Sequence, residues 1–307
     1  MSANKFDQMT VDIDELFMQP SEGRLNKKFP SFLQRIIKRL TIGSLLKTGL
    51  HRRLVDSGFI RGWFDEFELY WITVLGGRPL QLPDFFFLLG IYRQKFQACS
   101  VQQGAGSREF LAAWQDPKAL YLLFGAVRTY AHQPFFGFRQ EKWIKNNDKI
   151  LEFGCGIAPA TNFLLNYSIR RGLTFDIADI RQINSHYAKF RFGTAAHWIE
   201  LETHNAVLPR KRYNVVFLIQ VLEHLPDPVS AIRAICDSLV DDGVLIFDFI
   251  LGDGDGLDTV EALQHRAEVI GLLKRRFVVE EGRLSEDESM GITVCRIAPT
   301  RGLDLLD

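Results

Sequence analysis

The chain has 307 residues, 47% of them hydrophobic, which is enough apolar surface for one large domain or two of ordinary size. Lysine plus arginine and aspartate plus glutamate both number 37, so net charge supports neither nucleic-acid nor membrane binding for the chain as a whole. Four scattered cysteines, Cys99, Cys155, Cys236 and Cys295, form no C-x-x-C pair, and no His/Cys cluster has metal-ligand spacing; a disulfide framework and a structural zinc site are therefore not expected.

The first residues, MSANKFDQMTVDIDEL, have neither the profile of a secretory signal nor that of a transit peptide, which predicts a cytoplasmic protein. We read residues 1–23 as a tail. From Arg24 to Arg53 there are nine basic residues and no acid, interleaved with an apolar stripe of Phe29, Phe32, Leu33, Ile36, Ile37 and Leu40. Such a basic amphipathic helix can lie on an anionic membrane or track phosphates, or simply bury its stripe in its own domain. The segments Trp63 to Val74, Pro83 to Ala98 and Pro117 to Tyr130 also have helical spacing, giving a helical region over 24–145. The run FFFLLGIY at Phe85 to Tyr92 is too short to cross a bilayer and reads as part of a buried helix.

The polar triplet Asn146-Asn147-Asp148 marks a change of pattern. Over 146–307, β-rich runs alternate with helical stretches: KILEFG, LTFDIAD, HWIELET, YNVVFLI, GVLIFDF, FVVEEG and GITVCRIA. Alternation of this kind predicts an α/β fold, a doubly wound and mostly parallel sheet with helices on both faces. Five helix-linked strands are expected, closed by an antiparallel hairpin, because RLSEDESM leaves no room for a crossover helix between the last two runs. The sheet then has seven strands, and its ligand belongs beyond the strand ends, at the turn after the first strand. GDGDG at Gly252 to Gly256 lacks the later ligands of a calcium loop and reads as a loop after a strand.

That first turn reads Glu152-Phe153-Gly154-Cys155-Gly156-Ile157-Ala158-Pro159. Glycines between strand and helix let the backbone approach a ligand closely. Pro159 stands where a nicotinamide fingerprint needs its third glycine, and a Walker lysine is absent. The E-x-G-x-G turn resembles the first motif of the class I S-adenosylmethionine-dependent methyltransferases, and VLEHL after the YNVVFLI run resembles their fourth, particularly in the methyltransferases of quinone biosynthesis.

The resemblance implies S-adenosylmethionine as cofactor, with Glu152, Gly154, Cys155 and Gly156 around its methionine part, where a carboxylate complements positive charge. Ala158 replaces a glycine common in the family. Asp179, 23 residues beyond Gly156, is the expected acceptor for the ribose hydroxyls, with Asp176 as its rival; Ile180 is expected along the adenine. Relatives carry an aspartate facing the adenine amino group where this chain has His204 or Asn205, of which Asn205 is the candidate. Gln220, Val221, Glu223 and His224 are expected beside the methyl group. His224 is a candidate general base, since an imidazole suits removal of a hydroxyl proton near neutral pH, although a helix-start histidine bonded to backbone would look the same. Tyr130, ahead of Arg128 and His132, is the candidate to lie over the cofactor. Cys155 reads as a small loop filler.

Three functions follow. The first is methyl transfer to oxygen, nitrogen or carbon of a small metabolite, lipid-like or saccharide among the options. The second is a methyltransferase of nucleic acid or protein that docks through 24–53. The third is a non-catalytic module, against which the intact Glu152, Gly154, Gly156 and Asp179 count. No metal is expected.

Overall fold

The computed structural model describes residues 62–96, 107–131, 138–201, 207–251 and 257–298. The basic stripe of 24–53, Asn205 and the GDGDG loop lie outside the described residues. The chain falls into two compact units, Met1–Leu88 and Leu89–Asp307. In the first unit, helix α1 (Trp63–Thr73) buries Phe67, Tyr70 and Trp71. Phe85, near the start of α2 (Leu82–Phe96), meets Phe67 edge to face at 5.3 Å between ring centroids. Such aromatic pairs contribute beyond the area they bury.

In the second unit, α3 (Ser107–Trp114) and α4 (Leu120–Ala131) precede the sheet. The Pro117 segment begins as a short 3-10 turn and becomes α-helical only at Leu120. The Asn146-Asn147-Asp148 triplet is a turn in which Asp148 accepts the Lys145 N–H at 2.7 Å and Asn147 takes a φ of 65°. Asparagine tolerates that left-handed conformation better than most residues.

The sheet alternates with helices: β1 (Lys149–Phe153), α5 (Pro159–Asn166), β2 (Thr174–Ile180), α6 (Ile183–Phe192), β3 (His197–Leu201), β4 (Tyr213–Leu218), α7 (Pro228–Ser238) and β5 (Leu239–Phe249). After α8 (Val260–Gln264) and α9 (Arg266–Arg276) come β6 (Phe277–Glu281) and β7 (Met290–Ile297). Strand order is β3-β2-β1-β4-β5-β7-β6, with β7 antiparallel to both its neighbours. All seven expected strands are present. The expectation of helix-linked strands needs one correction, because the described part of the β3–β4 link, 207–212, contains no helix.

Side chains of the strands divide between two helical layers by simple alternation. Ile150, Phe175, Ile177, Val215, Phe217 and Ile246 pack with Phe163 and Leu164 of α5 and Ala188 of α6. Leu151, Phe153, Ala178, Val216, Leu218 and Phe247 pack on the other face with Ile232 and Ile235 of α7, Ile270 and Leu273 of α9, and Phe110 and Trp114 of α3. Both faces of the central strands are thus covered. The winding reverses between β1 and β4, so the ends of these two strands open the crevice in which a ligand is expected. Among the described residues no helix is long and apolar enough to cross a membrane.

Candidate active site

At the end of β1 the Glu152 carboxylate accepts the backbone N–H groups of Ala160 at 3.1 Å and Thr161 at 2.8 Å. A helix leaves its first N–H groups unpaired, and a carboxylate there also meets the positive end of the helix dipole. Glu152 therefore ties the start of α5 to the strand. Burial pushes its carboxyl up to about 7, with the Thr161 and Ala160 hydrogen bonds acting in the opposite direction.

The two glycines of the turn serve different ends. At Gly154, φ 62°, an added Cβ would lie 2.5 Å from Val221 Cγ2, so packing against the turn after β4 excludes any side chain. At Gly156, φ 52°, the nearest atom to an added Cβ is Asn184 Nδ2 at 4.0 Å, which leaves space for a ligand. Cys155 is buried, and burial followed by the Asp179 and Glu152 charges keeps it a thiol. Ala158 also stands in the left-handed region, at φ 52° and ψ 60°. An L-residue pays about 1–2 kcal/mol there, partly offset by the extra freedom glycine has when unfolded. Ala158→Gly is expected to stabilise the protein by about 0.5–1 kcal/mol in urea denaturation; a loss of stability would show that the alanine is unstrained.

At the end of β2, Asp179 accepts the Gly156 N–H at 2.8 Å and the Gln182 amide at 3.0 Å. Burial raises its pKa to about 6 against the pull of those bonds. The rival Asp176 is engaged elsewhere, accepting Tyr213 Oη at 2.8 Å and Arg212 Nε at 3.1 Å. Pleating explains the difference: three residues apart on a strand, the two acids sit on opposite faces.

At the end of β4, Gln220 takes a φ of 56° and is clamped by Asp248 of β5, to which its backbone N–H donates at 2.6 Å and its side-chain amide at 2.7 Å. A 3-10 turn, Leu222–His224, follows. His224 Nδ1 lies 2.9 Å from Asp258 Oδ1, and the imidazole meets the Trp114 indole edge to face at 5.3 Å. Burial acts to lower the His224 pKa, but the carboxyls of Asp258 and Glu223 and the Leu257 backbone outweigh it, so the pKa is raised. Glu223 is buried and pushed up to about 7 by desolvation.

Tyr130, Glu152, Gly154, Cys155, Gly156, Asp179, Ile180, Gln220 and His224 all line one cavity of about 330 Å³. Tyr130, on α4, has its hydroxyl pKa raised by burial and by the charges of Glu152 and Asp248. Of the expected site residues, Glu223 is not part of the lining, and Asn205 lies outside the described residues. Trp114 and Asn184 line the cavity as well, and sequence reasoning missed both, together with Asp248 and Asp258. Among the described residues the buried Asn184 Oδ1, Gln182 Oε1, Trp114 Nε1 and His224 Nδ1 have no hydrogen-bond partner. Buried polar groups are rarely left so, and groups lining a cavity can be completed by its ligand. An open Gly156, an unpaired Asn184 amide oxygen and two carboxylates suit a cationic ligand that carries hydroxyl and amino donors, as S-adenosylmethionine does.

Sheet order, hairpin and glycine turn together give the seven-stranded, mostly parallel α/β sheet that the resemblance to class I S-adenosylmethionine-dependent methyltransferases implies. Residues 128–277, just under half of the chain, match the family described as a methyltransferase domain. No curated protein sequence matches the chain. Among solved structures, a S-adenosylmethionine-dependent methyltransferase from Aquifex aeolicus is 14% identical, covering 54% of this chain and 89% of its own, with a TM-score of 0.41. The N-methyltransferase NodS from Bradyrhizobium japonicum WM9, in complex with S-adenosylhomocysteine, is 14% identical over 55% of this chain and 87% of its own, with a TM-score of 0.40. A 1,6-didemethyltoxoflavin-N1-methyltransferase from Burkholderia thailandensis, with 1,6-didemethyltoxoflavin and S-adenosylhomocysteine bound, is 13% identical over 72% of this chain and 92% of its own, with a TM-score of 0.41.

Proposed function

We propose that the protein transfers the methyl group of S-adenosylmethionine to a nucleophile on a small, uncharged and largely apolar metabolite. The observation that carries this reading is the charge of the cavity: its described lining includes Glu152 and Asp179 but neither lysine nor arginine. Two carboxylates favour a cationic sulfonium and ammonium and disfavour a phosphate-bearing acceptor. Phe110, Trp114, Leu122, Ala126 and Leu225 supply an apolar wall, the kind of lining that small-molecule sites use.

In this reading the Gly154–Gly156 turn and Glu152 hold the methionine part, Asp179 accepts the ribose hydroxyls, and Ile180 and Asn184 border the adenine. The bound cofactor supplies an electrophilic methyl group. The protein's own contribution is positioning and exclusion of water, to which the apolar wall and Tyr130 add.

Asp179→Ala is expected to weaken S-adenosylhomocysteine binding by about 1.5–3 kcal/mol, roughly tenfold to a hundredfold, in calorimetry. Because an ionised carboxylate accepts hydroxyl donors more strongly than a neutral carboxyl and burial pushes Asp179 up to about 6, wild-type affinity should fall as pH drops below that point. The linked stability has the opposite sign. Asp179 is raised above its ordinary value of 3.8, so its contribution is present below 3.8 and lost as pH rises through about 6. Unchanged affinity in the variant would remove Asp179 from the site. For the acceptor, transfer of radiolabelled methyl to neutral hydroxyaromatic compounds is expected, and labelling of RNA or protein instead would overturn the small-molecule reading.

A further inference from the structure

The apolar wall of the cavity contains a donor with nothing to donate to. Trp114 of α3 lines the cavity and is only 8% exposed, yet its indole Nε1 has no hydrogen-bond partner among the described residues. An indole N–H can only donate, and burying it without an acceptor is costly. The neighbouring side chains of the wall, Phe110, Leu122, Ala126 and Leu225, are hydrocarbon and supply no acceptor.

The ring itself is held in place. Phe110 lies 6.3 Å from it between ring centroids, tilted by 58°, and the His224 imidazole meets it edge to face at 5.3 Å. The next residue, Gln115, donates its side-chain amide to Arg181 O at 2.9 Å, which ties the end of α3 to the segment after β2. Contact with an aromatic π system is a weak substitute for an oxygen acceptor.

Resting on the methyltransferase reading above, we propose that Trp114 determines specificity for the methyl acceptor, its indole N–H donating to a neutral carbonyl or ether oxygen on the apolar molecule that receives the methyl group. A carboxylate or phosphate in that place would find neither lysine nor arginine in the described lining and would meet the charges of Glu152 and Asp179. A second hydroxyl could accept as well, but its own proton would then need a partner on a hydrocarbon wall. A carbonyl or ether carries no such proton. The same contact rejects analogues that lack the oxygen, because they leave the N–H buried and unpaired.

Calorimetry on full-length protein saturated with S-adenosylhomocysteine compares the ortho, meta and para isomers of hydroxyacetophenone with the matching ethylphenols, which have the same outline and no carbonyl. In wild type at least one hydroxyacetophenone should bind roughly threefold to tenfold more tightly than its ethylphenol counterpart, the range of one neutral hydrogen bond. Trp114→Phe keeps an aromatic ring, loses the N–H and should abolish that preference. Because the smaller ring can disturb packing, the comparison is repeated with benzothienylalanine in place of Trp114, which keeps the two-ring outline and puts sulfur where the N–H was. A role in packing alone predicts that both compounds change affinity together and the preference stays. Absence of any carbonyl preference in wild type overturns the proposal whether or not Trp114→Phe folds, as does a preference that survives in the benzothienylalanine protein. Loss of S-adenosylhomocysteine affinity in that protein with the preference intact assigns the N–H to the cofactor and likewise overturns it. The two readings fail separately: wild type that does not bind S-adenosylhomocysteine defeats the methyltransferase site, whereas binding without a carbonyl preference defeats only the role of Trp114.

Discussion

His224→Ala is expected to lower methyl transfer by roughly a hundredfold to ten-thousandfold, the usual contribution of a positioned base, with S-adenosylhomocysteine affinity nearly unchanged. The measurement is the initial rate of S-adenosylhomocysteine release on a hydroxyaromatic acceptor found by methyl-label screening. Wild-type rate should rise with pH and level off once the imidazole is neutral. That plateau should begin above the ordinary histidine range, because the carboxylates of Asp258 and Glu223 raise the His224 pKa. The stability linkage follows the same direction: the pair contributes fully below the unfolded pKa of 6.5 and its contribution is lost as pH rises through the raised folded value. Near-normal turnover in the variant would assign the reaction to proximity alone.

Arg266→Ala should be the most destabilising single change outside the hydrophobic core, at about 3–5 kcal/mol in urea denaturation. Its buried guanidinium donates to four carbonyls: Glu286 at 2.9 Å, Phe249 at 3.0 Å, Ser285 at 3.1 Å and Glu288 at 2.5 Å. It also stacks over the Phe249 ring at 4.3 Å. One side chain thus fastens the β6–β7 connection to the end of β5. Removing it leaves several carbonyls without a donor, and a lysine, with its compact ammonium, cannot span the same set. Arg266→Lys should therefore recover only part of the loss. A cost under about 1 kcal/mol for the alanine variant would mean that water replaces the guanidinium freely.

The glycine turn was legible because its signal is local. E-x-G-x-G after an apolar strand fixes residue types within a few positions, but at Gly154 an added side chain would meet Val221 and not a ligand, a packing reason that the motif did not carry. The role of Glu152 was only half legible. Sequence reasoning set its charge against the cofactor, yet both its oxygens bind the start of α5, eight and nine residues away, a contact that exists only once the helix folds back on the strand. Asp176 and Asp179 could be ranked but not separated by position along the strand. The partners that separate them, Arg212 and Tyr213 on one side and Gly156 and Gln182 on the other, belong to different elements.

By itself the sequence determined the seven strands, their closing hairpin and the glycine turn after the first strand, because short β-rich apolar runs and a helical period near 3.6 are set by neighbouring residues. Only the tertiary structure decided what surrounds the His224 end of the cavity. Trp114 reaches His224 across 110 residues of chain and Asp258 across 34, and Asp248 clamps Gln220 from the neighbouring strand. Such pairings leave no periodic trace, since long-range contacts are set by how whole elements pack and not by the spacing of residues within any one of them.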